Sequence, residues 1–156
     1  MAIAITLKNY LENSDIEYEL ITHDYTATSI RSAGKAHVSG EDTAKAVLLH
    51  DGVNYIVAVL PATHRVQLGK LHKQFDRYMA LATEAELHEL FDDCSIGAIP
   101  PIGNAYGVDV IIDSHLDNCG DIYFEAGDHT DLVHVSGLDF RHLMKDAYHC
   151  SISKHI

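Results

Sequence analysis

The chain has 156 residues, 47% hydrophobic and 22% charged, which suits one globular domain spanning residues 1–156 with a full hydrophobic core. Eleven Lys and Arg against 23 Asp and Glu give a formal charge of −12, which excludes a broad grip on duplex nucleic acid, since such surfaces are built from clustered cations. No apolar run reaches the ~20 residues of a membrane helix, and Met1-Ala2-Ile3-Ala4-Ile5-Thr6-Leu7-Lys8 lacks the basic segment and cleavage site of a signal peptide, so no membrane partner and cytoplasmic residence are expected.

In chain order, Ile3 to Asn13 places Ile3, Leu7, Tyr10 and Leu11 on one helical face, closed by Asn13-Ser14-Asp15. Glu17 to Thr22 alternates as a strand, and His23 to Ser29 supplies turn and N-cap chemistry for a helix over Ser29 to His37 with Ile30 and Ala33 inward. Lys45 to His50 reads as a strand, Asp51-Gly52 as a two-residue hairpin turn, and the unbroken Tyr55 to Leu60 as a central return strand ended by Pro61. Leu68 to Phe75 forms a short helix through Leu68, Leu71 and Phe75, and Tyr78 to Ala82 an edge strand. Thr83-Glu84-Ala85-Glu86 is a capping box opening a helix that carries Leu87, Leu90 and Phe91. Strands over Val108 to Ile112, Ile122 to Phe124 and Leu132 to Val135 follow, with a turn at Gly127 and a last helix from Leu138 to about Lys145 capped by Ser136. Helices interspersed with hairpins, not strict βαβ alternation, predict an α+β fold with a mixed, curved central sheet and flanking helices, Val57 and Val110 in its core.

Twelve histidines stand out, yet no HExxH occurs and no His pair three or four apart lies beside a carboxylate in ligand spacing. They read as surface or core side chains, able to offset much of the acidity below about pH 6. Cys94, Cys119 and Cys150 are odd in number and widely spaced, which predicts reduced structural thiols. The chemistry concentrates in two segments. Lys45 sits near the start of the apolar run Thr43 to Leu49, and Gly97-Ala98-Ile99-Pro100-Pro101-Ile102-Gly103 lies about fifty residues downstream. Proline fixes φ and glycine permits close approach, so such a loop offers backbone N–H donors at low conformational freedom, and a buried-strand lysine adds one compact positive charge. Together they suit an anionic or carbonyl-bearing ligand. Lys70, Lys73, Arg65 and Arg77 lie close in sequence as a candidate basic strip.

These segments, in this order, carry a resemblance. His23-Asp24 with Ala27-Thr28-Ser29, the lysine strand Thr43-Ala44-Lys45-Ala46-Val47-Leu48, the G-x-x-x-P loop from Gly97 to Pro101, Ile122 to Gly127 and the helix Leu138 to Leu143 resemble the YbaK/prolyl-tRNA-synthetase-associated editing domain family. The resemblance covers nearly the whole chain. It implies a trans-acting aminoacyl-tRNA deacylase that hydrolyses the ester of a mischarged tRNA, tRNA for proline carrying a small amino acid, with the aminoacylated 3′ end of tRNA as partner. It also implies no metal and no cofactor. Lys45, Gly97, Ala98 and Pro101 are then the expected catalytic positions, and His23, Ile99, Pro100, Gly127 and His129 the expected substrate-binding ones. Ala46 stands where family members commonly carry Thr or Ser, and Ala126 where a second glycine is common. The alternative is a non-catalytic member of the same fold that binds a small molecule or a protein.

Overall fold

The computed structural model describes residues 3–156; Met1 and Ala2, the start of the N-terminal stretch that lacks a signal-peptide pattern, lie outside the described residues. Five helices, α1 (Ile5–Asn13), α2 (Ser29–Lys35), α3 (Leu68–Phe75), α4 (Glu84–Leu90) and α5 (Gly137–Leu143), flank ten strands. The strands are β1 (Glu19–Thr22), β2 (Thr43–His50), β3 (Tyr55–Pro61), β4 (His64–Val66), β5 (Ala80–Leu81), β6 (Asp109–Asp113), β7 (Asp121–Glu125), β8 (Asp131–Ser136), β9 (Tyr148–Cys150) and β10 (Ser153–His155). Seven of them run β1-β8-β7-β2-β3-β6-β9 across a mixed sheet, β5 adds to β2, and β4 and β10 form a separate two-stranded ribbon. This is the expected α+β architecture, with the sheet curved and helices flanking it.

Period-two alternation divides the sheet into two faces. Ala44 and Leu48 of β2, Val57 and Val59 of β3, Val110 and Ile112 of β6 and Ile122 and Phe124 of β7 share the larger core with Leu7 and Leu11 of α1, Phe91 and the loop residues Ile99 and Ile102. The opposite face carries Leu49, Ile56, Ala58 and Ile111 beneath Leu71 of α3 and Met79. Each fully buried side chain of this size contributes about 1.5–3 kcal/mol relative to exposure, so these faces hold the strands in register.

The capping box at Thr83 forms as expected, with Thr83 Oγ1 accepting from Glu86 N at 3.2 Å and Glu86 Oε1 from Thr83 N at 2.9 Å. Three local expectations change. Ile30 is 45% exposed instead of facing inward. A helix of seven residues leaves its inward face underdetermined by spacing, and Ala33 and Ser32 take the buried side. The β2–β3 connection is a four-residue loop, His50 pairing with Tyr55, because Asp51 Oδ1 accepts from both Val53 N and Asn54 N, at 2.9 and 2.7 Å. Strands β4, β9 and β10 are further elements, each only three residues long.

Topology opens a gap beside Lys45. Parallel strand β7 pairs with β2 only at Thr43↔Tyr123 and Ala44↔Phe124, while β5 meets the same strand only at Leu49 and His50. Between these contacts the edge of β2 from Lys45 to Val47 has no strand partner among the described residues. Crevices where parallel strands part are where open sheets commonly bind ligands.

Candidate functional site

The Gly97–Pro101 loop begins as a tight turn. Ala98 N donates to Ser95 O at 3.1 Å, and Gly97 has φ +86° at the third turn position, the left-handed conformation glycine adopts at little cost. Glycine is required for space as well. A Cβ there would lie 3.0 Å from Ala27 O and 3.1 Å from His129 Cε1. The turn thus brings Gly97, Ala27 and His129 together from three separate parts of the chain. Ala98, Ile99, Pro100 and Pro101 behind it are buried. The Ala98 amide is consumed by the turn, while those of Gly97 and Ile99 have no hydrogen-bond partner among the described residues, leaving two donors for a ligand.

Gly127, with φ +110°, closes the β7–β8 turn and its carbonyl accepts from Ser95 N at 2.7 Å, which ties that turn to the loop. His129 follows in the left-handed region at φ +65°. Its Nε2 donates to Ile96 O at 2.5 Å. A carbonyl only accepts, so this contact places a ring hydrogen on Nε2, while Nδ1 is buried without a partner among the described residues. His23 repeats the arrangement. Its backbone N donates to Thr130 O at 2.8 Å, its Nδ1 donates to Asp24 O at 2.6 Å, and its Nε2 is buried and unpartnered. Tyr25, exposed, sets its ring edge-on to His129 with centroids 5.2 Å apart, at the rim of an open cavity of about 570 Å³ lined also by Arg31 and Lys35 of α2.

Acidic residues also stand here, beyond the positions expected from the sequence. Glu125 ends β7 only 1% exposed, beside Ser32 of α2, whose hydroxyl is committed to Thr26 Oγ1 at 2.5 Å. Neither Glu125 oxygen has a hydrogen-bond partner among the described residues. Burial, reinforced by the charge of Asp128 and only partly offset by Ser32, pushes this carboxyl up to about 7. Burial also disfavours an ionised Asp128, but the neighbouring Asp131 carboxyl and the amides of Thr130 and Asp131, both 3.0 Å from its Oδ1, together outweigh it and hold that carboxyl below the usual range. Asp131 is pushed up by burial and by Asp128. The one sequence signal for Glu125 is an acid embedded in Ile122-Tyr123-Phe124-Glu125-Ala126.

Lys45 leaves β2 on the face opposite Ala44 and Leu48, hence opposite the face on which Ile99 packs. Its Nζ donates to Ala62 O at 3.5 Å, and among the described residues no hydrogen bond joins it to the Gly97–Pro101 loop. Burial, then the nearby Arg65 charge, lowers its pKa from the ordinary lysine value. Lys45 and Glu125 share a face, one residue beyond the Ala44↔Phe124 pair on their two strands. Gly97, His129, His23 and Gly127 are therefore gathered at the β7–β8 end of the sheet, and Lys45 borders the neighbouring gap. The thiols of Cys94, Cys119 and Cys150 are all free. Among the described residues no helix is long and apolar enough to cross a membrane.

Comparison with known proteins bears on the fold and the family. A family model described as an aminoacyl-tRNA editing domain matches residues 23–143. No curated protein matches the chain. Among solved structures, the hypothetical protein APE2540 superposes with a TM-score of 0.84 at 18% identity, over 96% of this chain and 99% of its own. A protein named as a candidate trans-editing enzyme for prolyl tRNA synthetase gives a TM-score of 0.85 at 18% identity, over 97% and 96% of the two chains. A Marinobacter aquaeolei VT8 protein named for signal transduction contains the same fold as 31% of its length, with a TM-score of 0.79 at 14% identity. At these identities the structures establish the fold, and the family match covers most of the chain, including the loop, both histidines and the lysine strand: the protein belongs to the aminoacyl-tRNA editing domain family, the YbaK-type hydrolases that deacylate mischarged tRNA.

Proposed function

We propose that this protein is a trans-acting deacylase that hydrolyses the ester linking a small amino acid to the 3′ end of a mischarged tRNA, with tRNA for proline as the substrate. One observation carries the site assignment. All seven buried side-chain nitrogen and oxygen atoms without a hydrogen-bond partner among the described residues belong to His23 or to Glu125, Asp128, His129, Thr130 and Asp131. Orphaned buried polar atoms each cost about 1–3 kcal/mol, so their confinement to one end of the sheet, against the Gly97 turn, supports a place built for a polar ligand and water.

In this reading the aminoacyl carbonyl lies against the free amides of Gly97 and Ile99, which stabilise the oxyanion as it forms. The unpartnered Nδ1 of His129 or Nε2 of His23 orients the attacking water. Its oxygen bonds to the carbonyl carbon, the ester C–O bond breaks, and the water proton goes to the departing ribose oxygen, releasing free amino acid and uncharged tRNA. Ala98 and the Pro100-Pro101 pair hold the loop rigid, Gly127 anchors it through Ser95, and Lys45 holds the terminal phosphate. A tight pocket selects for small side chains only weakly, one methylene being worth ~1–3 kcal/mol, so the reading predicts several small amino acids as substrates.

The test is a deacylation panel: tRNA for proline charged in turn with alanine, cysteine, serine and proline, with free amino acid measured over time. Release of alanine, cysteine or serine well ahead of proline is expected. Hydrolysis of none of them, with the amino acids or nucleotides still bound, would replace catalysis with a binding role.

A further inference from the structure

The β4–β10 ribbon has two chemically different faces. On one, His64 and His155 lie opposite each other in register with ring centroids 5.3 Å apart, and Glu41 sits 3.0 Å from His155 Nε2 and 3.7 Å from His64 Nε2. On the other, Arg65 is directly paired with Lys154, and both are exposed. Like charges directly opposite in an antiparallel pair destabilise the ribbon, and among the described residues no carboxylate lies within ion-pair distance of this pair. Among the described residues the single Lys or Arg within ion-pair distance of an acid is Arg77, with Asp51 at 3.1 Å. Lys70, in the first turn of α3, donates to Ser151 Oγ at 3.5 Å, two residues before β10 begins. Lys45 is close enough to feel the Arg65 charge and touches Ala62 just before β4. In a chain of net charge −12, the exposed Arg65–Lys154 pair thus has Lys45 near its Arg65 end and Lys70 near the chain leading into β10.

We propose that the Arg65–Lys154 face of this ribbon, flanked by Lys70, is the landing surface for the phosphodiester backbone of the single-stranded 3′ terminus of aminoacyl-tRNA, guiding it toward Lys45. The inference rests on the deacylase reading above. A polyanion supplies the countercharge that the like-charged pair lacks, and a patch of three or four cations fits a few phosphates of a single strand where a duplex would require many more. Glu41 lies on the ribbon's other face, against His64 and His155, and among the described residues no acid lies within ion-pair distance of Arg65 or Lys154.

The experiment measures KM on charged tRNA across a salt series, alongside anisotropy of a fluorescent oligoribonucleotide ending in CCA, a probe that needs no turnover. Arg65→Ala with Lys154→Ala is expected to raise KM about tenfold or more, weaken oligonucleotide binding equally, and flatten the log–log salt slope by about 1.4, roughly 0.7 for each phosphate contact removed from a single strand. Lys8→Ala, an exposed lysine on α1, is expected to change neither. Lys154→Glu separates binding from folding: it creates an opposite-charge cross-strand pair, so its thermal midpoint should rise while its KM worsens. If the wild type turns over charged tRNA and the double variant retains its KM, salt slope and oligonucleotide affinity, the landing surface is wrong and the deacylase reading stands. If the wild type hydrolyses no aminoacyl-tRNA yet loses oligonucleotide binding in the double variant, the surface survives and the deacylase reading falls.

Discussion

Replacing Glu125 with glutamine should make the protein more stable, increasingly so as pH rises. The carboxyl is almost fully buried with both oxygens unpartnered, and burial raises its pKa from 4.5 to about 7. Between those values the unfolded chain has released its proton while the native state keeps it. The native state then binds more protons, so wild-type stability falls as pH rises through this window and levels off above about pH 7. A displacement of about two and a half pH units is worth about 3 kcal/mol, a large part of a small domain's total of ~5–15 kcal/mol. Glutamine preserves the shape and never ionises, so it escapes the loss. Urea unfolding of both proteins at pH 5, 6, 7 and 8 isolates the effect, because every other titrating group is shared. The stability difference should be small at pH 5 and approach about 3 kcal/mol in favour of Glu125→Gln at pH 8. A difference that stays flat across the series, or a variant less stable at pH 8, would refute the account of a carboxyl strained by burial.

Lys45→Ala should lower kcat/KM on a mischarged tRNA about ten- to a hundredfold, the worth of a charge-assisted contact of ~1.5–3 kcal/mol, while EDTA leaves the wild type unaffected; abolition of activity by EDTA with an active Lys45→Ala would overturn this. Gly97→Ala should cost stability and activity together. The left-handed φ is worth ~1–2 kcal/mol for a residue with a side chain, and the new methyl meets Ala27 O and the His129 ring, so unchanged urea midpoint and rate would show that the turn is not held as described. Cys94→Ser should keep deacylation within about twofold, since burial pushes the thiol up to about 12 and its Sγ rests against Tyr106; a loss beyond tenfold would indicate a nucleophilic or positioning role for it.

Much of the local structure was legible in the sequence because it is set by neighbours in the chain. Helix α3 runs from Leu68 to Phe75, as the spacing of Leu68, Leu71 and Phe75 requires, and the Thr83 capping box forms as its residue types dictate. The apolar run from Tyr55 to Leu60 became a strand with neighbours on both sides, and Val57 and Val110 are buried in register with each other. The Gly97 turn needed glycine for a local reason, and the resemblance that singled out Lys45 and the loop led to the correct family. What the sequence left undetermined depends on contacts between distant residues. Strand β10 exists only because Ser153 to His155 meets Val66 to His64, and three residues carry too little periodicity to announce that pairing. Glu125 shows the same division. Alternation along Ile122 to Ala126 places it on the face opposite Ile122 and Phe124, but alternation says nothing about what covers a face. Helix α2, nearly a hundred residues earlier in the chain, lies over that face with Ser32 against Glu125, turning a position that strand patterning would leave in water into a buried, unpartnered carboxyl. Backbone periodicity is a short-range property and is written locally; desolvation is imposed by whichever element packs on top, and only the folded chain decides that.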